Sequence, residues 1–165
     1  KQIPTHGGSI RVYASRSNNY KDTGEFNTLL KEEKIFFSEH NKLKLYPDTV
    51  IKHKNQLLDL LIELKKSEMK IVGIGAPSRG TTLINFVGVD NSIINYICEI
   101  KGSHKIGKFL PGTSIPVVDE EIIFKDQPDY ALLLSWHISD ELIDSLRKKG
   151  LKSKFIVPLP QPKII

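Results

Sequence analysis

Residues 70–86, KIVGIGAPSRGTTLINF, constrain the fold more than any other stretch of this chain. A short apolar run (Ile71, Val72, Ile74) meets two glycines, then Ala-Pro-Ser-Arg-Gly, then two threonines and an apolar pattern of helical period. This is a strand over 70–74, a tight turn, and a helix over 81–87 whose leading N–H groups face outward. Gly73 and Gly75 suit a sharp turn and close backbone approach. Pro77 has the fixed φ of a first helical position, and Ser78 is placed to cap it. The Arg79 guanidinium matches two phosphate oxygens at once. Gly75, Ser78, Arg79 and Gly80 are therefore candidate phosphate-binding residues. The same turn could also be a strand–helix connection that binds nothing.

The turn departs from two better-defined motifs. In the dinucleotide fingerprint the third glycine would stand where this chain has Ser78, and the glycine falls instead at Gly80. No Gly-Lys-Ser/Thr follows, which excludes a P-loop. Phosphate is the expected ligand class, and nicotinamide is not.

The strand–helix alternation then repeats. Strands are expected over 93–100, 115–118, 130–134 and 154–157, with a short helix from Asp119 and a longer one over 140–149. A turn-rich loop covers 101–113. Such alternation implies an α/β, Rossmann-like three-layer sandwich with a mostly parallel sheet, whose ligands bind beyond the carboxyl ends of the strands. Those ends carry Glu99, a candidate acceptor for ribose or sugar hydroxyls, and Ser135-Trp136-His137. His137 is a candidate ligand contact, and Trp136 is read first as a core residue. The loop adds His104, Lys105 and Lys108 as candidate cations, although it also reads as plain surface.

The first part of the chain is different. Residues 9–14 alternate like a strand, with Ile10, Val12 and Ala14 on one face, and 15–23 form a polar linker. Two helices follow, over 25–40 and from Pro47-Asp48 to Ser67. His6, beside two glycines, is a weak acid–base candidate. Three segments are expected: 1–23, 24–67 and 68–165.

The net charge of +5 is spread over scattered lysines with no interleaved aromatics, so nucleic acid is not an expected partner. No apolar run approaches the length of a membrane span, and no signal peptide is visible, so the expected compartment is the cytoplasm. Cys98 is the only cysteine, which rules out both a disulfide and a cysteine metal site within this chain. Lys1 stands where an initiator methionine would, and the opening reads as the inside of a domain. The chain is therefore expected to be a piece of a longer protein.

Taken together and in order, PTHGGSIRVY, GIGAPSRGTTLINF, the Glu99 strand end, KIGKFLPGTSIP, PDYALLLSWH and KFIVPLP resemble the C-terminal domain of the sugar C-methyltransferase family. The resemblance implies an S-adenosylmethionine-dependent enzyme acting on a nucleotide-linked deoxysugar. It also implies a zinc-binding N-terminal domain, a central methyltransferase domain carrying the catalytic Tyr-His-Glu-His stretch, and this domain as the substrate side. On that reading 1–23 is a remnant strand and linker of the upstream domain, and 24–67 are bridging helices. Ser78, Arg79 and the 75–80 backbone would hold phosphate, and Glu99, aspartate in many relatives, would take a hydroxyl. Lys105, Lys108 and His137 would line the cleft. The residues leave open which sugar, which nucleotide and which acceptor atom (carbon, oxygen or nitrogen). The alternative is a non-catalytic nucleotide-binding or assembly module.

Overall fold

The computed structural model describes residues 1–3, 5, 8–16, 19–38 and 40–165, with backbone alone for 40–43. His6 and Gly7 of the sequence reading therefore lie outside the described residues. The chain divides into two compact units, Lys1–Val50 and Ile51–Ile165.

In the first unit β1 (Gln2–Ile3) pairs antiparallel with β2 (Ser9–Ile10). The strand expected over 9–14 stops at Ile10, because its partner is only two residues long. Val12 and Tyr13 beyond it are exposed. Helix α1 (Gly24–Ser38) is capped by Thr23, whose Oγ1 accepts from the Phe26 N–H at 3.2 Å. It buries none of its residues, and Phe26, Ile35, Phe36 and Phe37 stay exposed.

Helix α2 (His40–Lys66) corrects the expected start at Pro47, which lies inside it. Pro47 is on an exposed stretch, where water can serve the carbonyl that its missing N–H leaves without a partner. From Ile51 onward α2 belongs to the second unit, and its Leu57 and Leu61 are fully buried there.

The second unit is built on β3 (Ile71–Ile74), α3 (Ser78–Val87), β4 (Ile97–Glu99), β5 (Val117–Asp119), α4 (Glu121–Asp126), β6 (Tyr130–Leu133), α5 (Ser139–Lys148), β7 (Lys154–Val157) and β8 (Lys163–Ile164). The strands form one six-stranded sheet in the order β5-β4-β3-β6-β7-β8. All neighbours are parallel except β8, a short antiparallel edge that the sequence pattern did not reveal.

Alternate strand residues face opposite layers. Ile71, Ile97, Leu132 and Ile156 pack with Leu57 and Leu61 of α2 and Ile84 and Val87 of α3. Val72, Ile74, Ala131, Leu133 and Phe155 pack with Ile123 of α4 and Ile143 and Leu146 of α5. The expected Rossmann-like sandwich with a mostly parallel sheet is what the chain forms.

Several boundaries move for local reasons. The strand expected over 93–100 begins only at Ile97, because Asp90 Oδ1 accepts from the Ser92 N–H at 2.8 Å and Oγ at 2.6 Å and holds a turn there. The strand expected over 115–118 is shifted to Val117–Asp119. Ile115 and Pro116 pair instead with the preceding loop, where the Leu110 N–H donates to the Ile115 carbonyl at 2.9 Å. The helix expected from Asp119 begins at Glu121, whose N–H donates to Asp119 Oδ1 at 2.9 Å.

Candidate functional site

Strand β3 is the pivot of the sheet. The chain leaves it through α3 to β4 on one side, whereas β6, reached later, lies on the other. The topological switch point is thus between β3 and β6, where open α/β sheets part to leave a crevice. The turn after β3 meets the turn after β6 there. Gly75 has φ +78°, and a Cβ on it would stand 3.1 Å from Ser135 Oγ. Side chains rarely adopt that backbone geometry, so glycine is needed on conformational grounds alone.

The next residue is held at both polar backbone atoms. The Ala76 N–H donates to Glu99 Oε2 at 3.0 Å, and the Ala76 carbonyl accepts from Lys105 Nζ at 2.7 Å. Lys105 Nζ also lies 3.4 Å from Glu99 Oε2, and Glu99 Oε1 accepts from the Ile100 N–H at 3.2 Å.

Pro77 is extended (φ −73°, ψ 156°) and precedes α3, which corrects the expectation of Pro77 as the first helical residue and of a helix starting only at Thr81. The Thr81 N–H closes the first helical turn onto the Pro77 carbonyl at 3.0 Å. Ser78 makes no capping hydrogen bond through its side chain, because it stands one position inside the helix. Gly80 packs rather than bends: a Cβ there would approach Leu134 Cβ to 2.8 Å. The glycine displaced from the dinucleotide fingerprint thus serves close helix–strand packing.

The N–H groups of Ser78, Arg79 and Gly80 have no acceptor among the described residues, as the opening of a helix requires. Arg79 is exposed and forms no ion pair with a described carboxylate. The geometry is therefore one guanidinium beside open amides at a helix start, with the nearby acid Glu99 paired to Lys105.

The profile of the C-methyltransferase C-terminal domain matches residues 4–160. The chain belongs to this C-methyltransferase family. It is also 30% identical, over 164 residues, to the C-methyltransferase NovU of Streptomyces niveus, a match that covers 97% of this chain and 39% of that protein. The chain thus spans about two fifths of the length of that curated relative.

In this C-methyltransferase domain the remaining sequence candidates separate. Lys105 is brought to the turn. The Lys108 carbonyl accepts from the Val117 N–H at 2.8 Å, which places this exposed lysine on the outer side of β5, two strands from β3. His137 is half-buried on a 3₁₀ turn, Trp136–Ile138, after β6, and Trp136 packs on the core beside α5.

Cys98 is buried in β4. Burial, with Glu120, Asp119 and Asp126 nearby, pushes its thiol up to about 12, against an opposing backbone hydrogen bond at Ile123. Among the described residues no group of three or more His, Cys, Asp or Glu could hold a metal ion. No described helix is long and apolar enough to cross a membrane.

Sequence reading missed the grip on Ala76 and the contact of Ser135 with Gly75. Ser135 carried a signal, its place at a strand end. Ala76 carried none, since its partners stand 23 and 29 residues away.

Proposed function

We propose that this domain holds the phosphates of a nucleotide-linked sugar for methylation at carbon, in a cytoplasmic enzyme that uses S-adenosylmethionine. The observation that carries the reading is Arg79, which pairs with no described carboxylate, beside the open amides of Ser78, Arg79 and Gly80 at the sheet's switch point. A helix start favours negative charge, and a guanidinium adds a forked, charge-assisted contact that an ammonium cannot reproduce. Ser78 Oγ adds a further donor. Lys105 offsets the negative charge of Glu99 close to the anion.

The residues of this chain do not fit the adenosyl cofactor. Position 78 lacks the fingerprint glycine, and the carboxylate that would take a ribose diol already accepts from Ala76. S-adenosylmethionine, like the zinc implied by the resemblance, is therefore assigned to polypeptide outside this chain, and no step of methyl transfer is drawn through these residues. Their part is to bind and orient. In this assignment 1–23 connects to a methyltransferase domain and 24–67 bridges, which the wholly unburied α1 supports.

The packing of Gly80 favours a second reading, in which the turn is a strand–helix connection with no ligand. Arg79 separates the two. In the full-length enzyme Arg79→Ala is expected to raise the KM for a nucleoside diphosphate-sugar roughly ten- to a hundred-fold, the loss of a charge-assisted contact. S-adenosylmethionine affinity should stay the same, and Arg79→Lys should recover only part of the loss. An unchanged KM in Arg79→Ala would leave the empty turn as the better account.

A further inference from the structure

We propose that the Glu99–Lys105 pair is a clamp that sets the aim of the phosphate-binding turn, so that both are positioning residues rather than ligand contacts. The proposal rests on the phosphate reading of the turn. Ala76 is only 6% exposed, so its N–H and carbonyl need partners within the protein. No ladder partner serves either atom; one ion pair serves both. Glu99 Oε2 accepts from the Ala76 N–H at 3.0 Å, and Lys105 Nζ donates to the Ala76 carbonyl at 2.7 Å.

Ala76 lies one peptide before Pro77, whose carbonyl closes the first turn of α3. Fixing the Ala76 peptide therefore fixes the direction in which the amides of 78–80 point. The alternative role of Glu99, a ribose diol bridging both of its oxygens, would have to displace Ala76 or Lys105 from Oε2, whose two acceptor sites they fill. Charge argues the same way. A lone carboxylate beside a phosphate would repel it, and Lys105 at 3.4 Å neutralises that carboxylate. Lys105 is delivered by the 101–113 loop, which links the conformation of that loop to the aim of the turn.

Two probes separate the roles in the full-length enzyme: inorganic pyrophosphate, which has no ribose, and uridine diphosphate, which has one. Glu99→Ala and Lys105→Met are each expected to weaken both probes equally, by about ten-fold. Glu99→Gln keeps an acceptor for Ala76 and should stay within about three-fold of wild type. If Glu99→Ala weakens only uridine diphosphate, Glu99 is a ribose ligand and the clamp is overturned.

Amide hydrogen exchange at Ala76, whose N–H Glu99 holds, and at Thr81, whose N–H closes the first turn of α3 onto the Pro77 carbonyl, tests the clamp without any ligand. It should speed up in Glu99→Ala and Lys105→Met and be restored in Glu99→Gln. Exchange unchanged in Glu99→Ala overturns the clamp. Wild-type enzyme that binds neither probe overturns the phosphate reading instead, and the exchange result still decides the clamp.

Discussion

The two ends of the central sheet handle charge in opposite ways. At the end where β3, β4 and β6 begin, Asp126 accepts from Lys70 Nζ at 2.5 Å and from the Tyr96 hydroxyl, and Asp129 accepts from the Lys70 N–H at 2.8 Å. Lys70, Asp126 and Asp129 all find partners in the fold there. At the opposite end Glu99 and Lys105 are paired, but among the described residues Arg79 and the first amides of α3 are left over. Charges that satisfy each other hold secondary structure together. Charges left over at a switch point are available to a ligand. The beginning end is a fastening, and the other end is the receiving surface of the proposed function.

Substitutions can break this contrast. The largest stability effect is expected from Gly80→Ala, because the new methyl would press on Leu134 Cβ from 2.8 Å. Overpacking of this kind costs about 1–3 kcal/mol, which urea unfolding would measure. A fully stable Gly80→Ala would mean that α3 can move away from β6 freely, and the switch point would not be rigid.

Asp126→Ala should cost less, about 1 kcal/mol, by leaving Lys70 and Tyr96 without their shared acceptor. Its pyrophosphate affinity should equal that of wild type. If Asp126→Ala weakened pyrophosphate as much as Arg79→Ala does, the distinction between the two ends would fail.

A smaller effect follows from acidity. Burial alone would raise the Asp126 carboxyl, but hydrogen bonds from Lys70 and Tyr96 and the Lys70 charge outweigh it, and the group titrates below its ordinary value. A lowered folded value contributes stability above the unfolded value of about 3.9, and that stability is lost as pH falls through the folded value. Stability should therefore decline below about pH 4 in wild type, and the decline should be shallower in Asp126→Asn. A pH profile identical in the two proteins would remove Asp126 from the fastening.

The smallest signal is chemical. Cys98, buried with its thiol raised to about 12, should resist iodoacetamide at pH 8 in the folded protein and react in urea. Fast native alkylation would show that β4 opens readily, which neither end of the sheet would then constrain.

Much of this molecule was legible before any coordinates. Short apolar runs alternating with amphipathic helices can bury their faces only as a parallel sheet covered on both sides, and that is the second unit. The strand–turn–helix at 70–86 was readable because its residue types act on their own backbone within a few positions. Some boundaries were misread even where the cause is local. The Asp90–Ser92 turn shortened an apolar run that looks like strand, and exposure let α2 run through Pro47.

The candidate site shows the same division more sharply. Sequence placed Gly75, Ser78, Arg79, Gly80, Glu99, Lys105, Lys108 and His137 at strand ends and loops, because period and punctuation decide where a strand stops. It could not say that Glu99 grips Ala76, that Gly80 faces Leu134, or that Lys105 reaches the turn while Lys108 lines the far side of β5. Those outcomes depend on which segments the sheet order makes neighbours, for the grip on Ala76 over separations of 23 and 29 residues. Local pattern determines the elements and their ends. Only the packed sheet, by choosing each side chain's partner, decided which charges were consumed by the fold and which were left over for the proposed ligand.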